Sequence, residues 1–121
     1  MTLDLAAWLD AVRQGVAAAG PSAGAFAQHV HVLATTGSTN DDVARAALVG
    51  APQGYTVVAA EQTAGRGRRG ASWHSPSTHG LYVSTLLRPD RWVVTRQAPG
   101  APATSLITLM TGVAVASAVA D

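Results

Sequence analysis

Apolar positions recur with a helical period at the start of the chain. Between residues 3 and 19 they fall three or four positions apart, which is the spacing of one helix face. These positions are Leu5, Trp8, Leu9, Val12 and Val16. Thr2 is a residue type that caps helices, and Gly20 with Pro21 ends the run. The pattern predicts an amphipathic helix over residues 3–19, followed by a connector of small residues up to position 27.

Three later segments have patterns typical of β-strands. In residues 29–33, Val30 and Val32 alternate with His29 and His31. Residues 55–60 form a continuous apolar, β-branched run, as expected of a strand that is buried on both faces. Residues 80–88 alternate again and end before Pro89. We therefore expect three short strands.

A second helix is predicted over residues 40–48. It follows a turn at residues 36–39, whose serine and threonine are common N-cap residues. Asp41 and Asp42 lie in its first turn, where the helix dipole favours acidic side chains. Its apolar face is expected to consist of Val43, Ala44, Ala47 and Leu48.

The last segment is apolar on nearly every side. Residues 90–102 contain two prolines and predict a loop, and a helix is expected from Thr104 or Ser105 to the end of the sequence. No charged residue occurs from position 101 to 120, so the length is borderline for a membrane span. Its alanine, serine and threonine content favours a buried core helix instead.

Composition limits the classes of function. The 121 residues suffice for one modest domain, and a net charge of +1 excludes a bulk-charge binder of nucleic acid or acidic membranes. The absence of cysteine excludes a disulfide framework and a thiolate metal site. Asp4 lies where a signal peptide needs basic residues, so no secretion signal is expected and a cytoplasmic location is predicted.

The densest positive charge lies in residues 65–70, Gly-Arg-Gly-Arg-Arg-Gly. Glycine allows a tight backbone, and the arginine fork matches carboxylate and phosphate, so this loop is suited to closing over an anion. The glycines match G-x-G-x-x-G, but Pro76 follows where a dinucleotide fold needs a helix. The lack of lysine excludes a P-loop. A solvated surface loop and a nucleic-acid-binding segment remain as alternatives.

The remaining candidates each have a structural alternative. Ser38, Thr39 and Asn40 stand at a helix start, where capping is the commoner role and binding the polar end of a ligand is the rarer one. Trp73 suits either the core or stacking on a purine. The four histidines lack acidic or cysteine partners at a telling spacing, so no metal site is predicted.

These motifs occur in the order found in one known family. Residues 36–40 are Thr-Gly-Ser-Thr-Asn, residues 61–70 are Glu-Gln-Thr-Ala-Gly-Arg-Gly-Arg-Arg-Gly, and Trp73, Ser-Pro at 75–76 and Leu-Tyr-Val-Ser at 81–84 follow. From about His31 to the last residue, the chain resembles the catalytic domain of biotin protein ligases. The stretch Gln-x-Ala-Gly-Arg-Gly-Arg-x-Gly is the signature of that family, and the related lipoate ligases share the fold but lack this loop.

The resemblance implies an α+β fold, a mixed β-sheet packed with helices that is similar to class II synthetases and incomplete in this chain. It divides the chain into an N-terminal helix and linker, residues 1–30, and part of the catalytic domain, residues 31–121. The implied reaction joins biotin to the α-phosphate of ATP, with Mg²⁺, to give biotinyl-5′-AMP. The biotinyl group then passes to a lysine of a biotin carboxyl carrier protein, such as that of acetyl-CoA carboxylase.

The resemblance also implies roles for individual residues. Arg66 and Arg68 would be catalytic and, with six others, would bind biotin; the six are Ser38, Thr39, Asn40, Gln62, Gly65 and Gly67. Arg69 would support the loop and Trp73 would pack near the adenine, so both are assigned to the adenylate. No metal ligand is expected from the protein.

Two departures from the family pattern bear on activity. The family has a lysine that touches both reacting groups, and this chain contains no lysine. The N-terminal stretch is also too short for a helix-turn-helix motif, so neither DNA nor a membrane is an expected partner. We therefore expect the 121-residue chain to be impaired by itself. The alternative functions are an inactive fragment or a nucleic-acid-binding module that uses the arginine-glycine loop.

Overall fold

The computed structural model describes residues 4–88 and 107–120, and divides into two units, Met1–Leu87 and Arg88–Asp121, that are treated separately. The first unit contains three helices, α1 (Leu5–Ala19), α2 (Ala25–Gln28) and α3 (Thr39–Leu48). Its three strands are β1 (Val30–Thr36), β2 (Thr56–Gln62) and β3 (Tyr82–Thr85). Short 3-10 turns cover Gly20–Ala23 and Arg68–Gly70. The second unit contains α4 (Ile107–Ala120).

The strands form one mixed sheet in the order β1-β2-β3. β1 and β2 are parallel, with Val30 opposite Thr56 and Thr36 opposite Gln62, and α3 lies in the connection between them. β3 is antiparallel to β2, with Ala59 opposite Tyr82. A parallel pair needs such a crossover, since a tight turn can join only antiparallel strands. The predicted α+β class with a mixed sheet is confirmed.

β2 is the buried centre of this unit. Its residues from Thr56 to Ala60 are all buried, and Ala59 and Ala60 have no exposed surface. This confirms the prediction of a strand covered on both faces. Alternate residues point to opposite faces of a strand, so the two faces of β2 contact different layers.

α1 covers one face of the sheet through a single large anchor. Trp8 packs in a buried cluster with Val58 and Ala60, supported by the partly buried side chains Leu5, Leu9, Val12, Val30 and Val32. Four of the five apolar positions predicted for the helix, Leu5, Trp8, Leu9 and Val12, belong to this cluster, and Val16 is half-buried, so the amphipathic face is confirmed. The N-cap is Asp4, whose carboxylate accepts a hydrogen bond from the Ala6 N–H at 3.3 Å; the prediction of Thr2 is therefore wrong.

α3 packs on the opposite face with a narrower apolar stripe than expected. Val43 is buried, but Ala44 is exposed and 87% of Leu48 is exposed, so two of the four predicted face residues do not pack. Ala47, the fourth predicted residue, is half-buried, and so is Ala46, which was not predicted. The helix approaches the sheet through small side chains near its centre, and Leu48 at its last turn extends past that contact.

Several boundaries differ from the sequence pattern. β1 continues beyond the predicted end at residue 33 to Thr36, the first residue of the predicted turn, because its backbone stays paired with β2 as far as Gln62. β3 is shorter than the predicted segment 80–88. The predicted connector, residues 21–27, lies within a 3-10 turn (Gly20–Ala23) and α2 (Ala25–Gln28).

α4 is a helix of 14 residues, and the predicted start at Thr104 or Ser105 lies outside the described residues, as does the predicted loop at 90–102. Its residues 110–120 are exposed, so the predicted burial is not observed. Among the helices of residues 4–88 and 107–120, none is long and apolar enough to cross a membrane.

Gly54 and Gly50 provide a test of the packing between α2 and the start of β2. Both have positive φ, +89° and +88°, but a Cβ on Gly54 would lie 2.7 Å from the Ala25 carbonyl oxygen, whereas one on Gly50 would meet nothing within 4 Å. Gly50→Ala should therefore cost about 1 kcal/mol of the free energy of unfolding, from the backbone alone. Gly54→Ala should cost about 1–3 kcal/mol more, from overpacking.

Urea unfolding of both variants measures this difference. Equal midpoints for the two variants would show that α2 does not approach Gly54 as closely as described.

Candidate functional site

The segments that follow β1 and β2 meet at one edge of the sheet because the two strands are parallel. The Thr63 N–H donates to the Thr36 carbonyl at 2.9 Å, and the Ala64 N–H donates to the Gly37 carbonyl at 2.8 Å. Beside them lies an open groove of about 570 Å³, bounded by the start of α3, the arginine loop and β3. Its lining residues are Ser38, Thr39, Asn40, Gln62, Arg66, Gly67, Arg68, Trp73, Leu81, Tyr82, Val83 and Ser84.

The start of α3 is held to the end of β2 by one amide group. Ser38 caps the helix, and its side-chain oxygen accepts from the Asp41 N–H at 3.5 Å. The Thr39 N–H and hydroxyl both point at Gln62 Oε1, at 2.9 and 3.1 Å. An uncapped N–H at a helix start needs a partner, and Gln62 supplies it from a neighbouring strand. Capping and site formation are therefore two roles of the same residues.

The same hydrogen-bond network continues across the floor of the groove to β3. Ser84 Oγ lies 2.8 Å from Thr39 Oγ1 and donates to Asn40 Oδ1 at 2.6 Å. Each hydroxyl has one proton, and Ser84 uses its proton for Asn40. Thr39 is therefore the donor towards Ser84, and its single proton is shared between Ser84 and Gln62. Gln62 Nε2 donates to Ser75 Oγ at 3.3 Å. The groove therefore has a wall of connected donors and acceptors drawn from α3, β2 and β3.

The arginine loop folds back on itself next to this wall. The Trp73 N–H donates to the Gly65 carbonyl at 2.8 Å, and the Gly67 N–H donates to the Ala71 carbonyl at 2.7 Å. A Cβ on Gly65 would lie 2.9 Å from Ser75 Oγ, so the close approach of the two sides requires glycine there. Arg69 has a φ of +60° at the tip of the loop.

Arg66 and Asp41 form a two-point ion pair between the loop and α3. Arg66 Nη1 donates to Asp41 Oδ2 at 2.9 Å, and Nη2 donates to the other carboxylate oxygen. The hydrogen bond and the positive charge of Arg66 lower the pKa of Asp41 from its ordinary value. The hydrogen bond and the negative charge of Asp41 raise the pKa of Arg66 in turn. Both side chains are partly exposed, 53% for Arg66 and 38% for Asp41, so water screens the pair.

The structure brings most of the predicted site residues together. All of them line the groove except Gly65 and Arg69. Gly65 is buried under the loop, and Arg69 lies exposed at the tip of the loop. Trp73 lines the groove with 61% of its surface exposed, so it is not a core residue.

Several residues of the site were given no role in the sequence analysis. Asp41 was explained by the helix dipole, and nothing in the spacing indicated its pairing with Arg66. Ser84 and Tyr82 were identified as parts of a strand and of a motif shared with the family, without a role of their own, although both line the groove. Ser75 is buried and holds Gln62. The motif at residues 81–84, which the chain shares with the family, was the available signal for Tyr82 and Ser84.

The histidines do not gather at the groove. The His31 ring lies over Tyr55 with 4.6 Å between centroids, and His79 Nδ1 lies 2.7 Å from the Ser77 carbonyl oxygen. In the part of the chain that the structure describes, no group of three or more potential metal ligands is found.

Comparison with known proteins agrees with the fold. Residues 32–119 match the family model described as the biotin/lipoate A/B protein ligase family, and the chain belongs to that family. The predicted resemblance is confirmed, and the chain carries the fold of a ligase family.

Individual relatives match about half of this chain. The bifunctional ligase/repressor BirA of Bacillus spizizenii is 43% identical over 63 residues, which is 52% of this chain and 19% of the relative. BirA of Bacillus subtilis is 46% identical over 59 residues, which is 49% of this chain and 17% of the relative. The biotin–[acetyl-CoA-carboxylase] ligase of Mycobacterium tuberculosis is 39% identical over 67 residues, which is 54% of this chain and 25% of the relative. The matched segment thus spans a quarter or less of each relative.

The Asp41 carboxyl group should titrate below the ordinary aspartate range. Because Arg66 stabilises the charged form, the pair contributes to folding stability above the unfolded-state pKa, and this contribution is lost as the pH falls through the lowered folded-state pKa. Carboxyl ¹³C NMR titration measures it. Arg66→Ala should return the pKa towards its ordinary value.

Arg45→Ala is the matched control for that titration. Arg45 lowers the pKa of Asp41 through its charge alone, and its effect is smaller than that of Arg66. Removal of Arg45 should therefore move the pKa of Asp41 less than removal of Arg66 does. An equal effect from both variants would contradict the two-point geometry.

Proposed function

We propose that this chain carries part of the active site of a biotin protein ligase. The reaction is ATP-dependent activation of biotin to biotinyl-5′-AMP with release of pyrophosphate, followed by transfer to a lysine of a biotin carboxyl carrier protein. The observation that carries the proposal is that one groove combines a polar wall, from Thr39, Gln62 and Ser84, with the two arginines Arg66 and Arg68. Biotin has a polar ring at one end and a carboxylate at the other.

The polar wall favours biotin over lipoate as the substrate. The ureido ring of biotin has two N–H donors and a carbonyl acceptor, and it would meet the wall formed by Ser38, Thr39, Asn40 and Gln62. The dithiolane of a lipoyl group has neither, so it would displace water from the polar wall without forming hydrogen bonds to it. A site built for hydrogen bonds rejects analogues that lack them more strongly than an apolar site rejects small changes in size.

The arginines suit the first chemical step, which brings two anions together. The biotin carboxylate must approach the α-phosphate in line, so their repulsion has to be neutralised and their geometry fixed. We assign this role to Arg66 and Arg68, with ATP entering as its Mg²⁺ complex. Mg²⁺ is commonly held through substrate phosphates and waters rather than by a cage of protein ligands.

The loop is proposed to cover the adenylate. Trp73 offers an exposed aromatic face to the adenine, and Arg69 supports the loop from its tip. Gly65 and Gly67 allow the close approach of the chain segments. A mixed anhydride hydrolyses readily, so a covering loop also keeps water from the intermediate.

The wider assignments rest on the relatives. The carrier-protein partner rests on the family resemblance and is supported by the name of the Mycobacterium tuberculosis relative, which mentions acetyl-CoA carboxylase; a cytoplasmic location accords with that partner. The division into residues 1–30 and 31–121 stays a prediction.

Nucleic-acid binding through the loop is the second candidate function. It is disfavoured because Arg66 and Arg68 line the groove and Arg66 is already paired with Asp41, so the three arginines of the loop do not present one continuous patch.

Biotin-dependent release of pyrophosphate from ATP tests the proposed reaction. The chain has no lysine, so we expect a slow rate that depends on the arginines. Arg68→Ala should lower this rate by about ten- to a hundredfold, since a charged group that neutralises the transition state is removed. Arg45→Ala is the control, because Arg45 pairs with Asp42 on α3 and does not line the groove. Release that does not depend on biotin would overturn the proposal.

Ligand choice tests the polar wall. Calorimetry should detect binding of biotin and little binding of lipoate. Thr39→Val removes one hydroxyl at nearly constant volume and should weaken biotin binding by roughly tenfold. Thr63→Val is the control, because Thr63 is exposed and outside the groove. Equal affinity for biotin and lipoate would show that the wall does not read the ureido ring.

A further inference from the structure

We propose that Asp41 is a positioning residue that holds Arg66 in the absence of ligand and is displaced from it when an anion binds in the groove. Asp41 thereby acts as an internal competitor of the anionic ligand. The inference rests on the proposed function only for the identity of that ligand; the competition itself follows from the ion pair.

The geometry of the pair makes the competition direct. Both terminal nitrogens of Arg66 are engaged, one with each oxygen of the Asp41 carboxylate. A carboxylate or phosphate is bound best through the same parallel pair of N–H groups. The edge of the Arg66 guanidinium formed by Nη1 and Nη2 therefore cannot bind Asp41 and a ligand anion at the same time.

The pair is placed where exchange is easy. Arg66 lines the groove, whereas Asp41 lies outside the lining on the first turn of α3. The two side chains are 53% and 38% exposed, and an exposed ion pair contributes little net stability because water and salt screen it. A ligand anion in the groove can therefore take Arg66 at a small cost.

Local structure keeps Asp41 charged and available for this role. The helix dipole favours an acid in the first turn, and Arg45 adds a further favourable charge. The neighbouring acid Asp42 is engaged elsewhere, with Arg45 and with the Thr36 hydroxyl. Asp42 therefore binds partners on α3 and β1, and Asp41 binds the arginine loop.

Pyrophosphate is a suitable probe because it is an anion and does not need the polar wall. Calorimetry on the chain at low salt should give two- to fivefold tighter binding for Asp41→Asn than for the natural sequence, about the worth of an exposed ion pair. With Arg66→Ala as the background, the same substitution should have no effect. The gain should also shrink in about 0.5 M salt.

Asp42→Asn is the matched control, because it removes one negative charge from the adjacent position without releasing Arg66. It should change pyrophosphate affinity less than Asp41→Asn does. Circular dichroism of each variant verifies that α3 remains folded.

Each outcome decides the inference. Tighter binding that depends on Arg66 supports it. Unchanged or weaker binding, a gain that persists with Arg66→Ala, or an equal gain from Asp42→Asn overturns it. Biotin titrations on the same variants test the proposed function separately: a chain that binds pyrophosphate in the expected way but not biotin retains the competition and loses the ligase assignment.

Discussion

The parallel pairing of β1 with β2 is the constraint on which the rest of the site depends. It places the turn after β1 and the arginine loop after β2 at one edge of the sheet, where Thr63 and Ala64 donate to Thr36 and Gly37. α3 must then start at that edge, because it is the crossover between the two strands. The groove follows from this topology before any ligand-binding side chain is considered.

Gln62 converts that backbone arrangement into a site. Its side-chain oxygen satisfies the start of α3 at Thr39, and its nitrogen reaches Ser75 on the returning side of the loop. One amide thus joins a helix, a strand and a loop, and Ser84 extends the network to β3. Residues that look like ordinary caps in isolation become the polar wall of a groove.

Local patterns predicted the elements well where packing and pattern agreed. The helix period around Trp8, the buried run of β2 and the alternation of Val30 and Val32 all correspond to observed elements. The errors arose where tertiary contact overrode local signals. β1 extended to the first residue of the predicted turn because β2 continued beside it. Leu48 stayed exposed because α3 reaches the sheet through Val43, Ala46 and Ala47.

The sequence by itself determined the residue types of the site and their order. The motif from Gln62 to Gly70 and the Ser-Thr-Asn turn are each a continuous stretch of sequence, so both can be recognised without knowledge of the fold. Only the tertiary structure decided their partners. The pairing of Arg66 with Asp41, and the approach of Ser84 to Thr39, join positions 25 and 45 residues apart. Such contacts depend on strand register and helix placement, which no local pattern encodes.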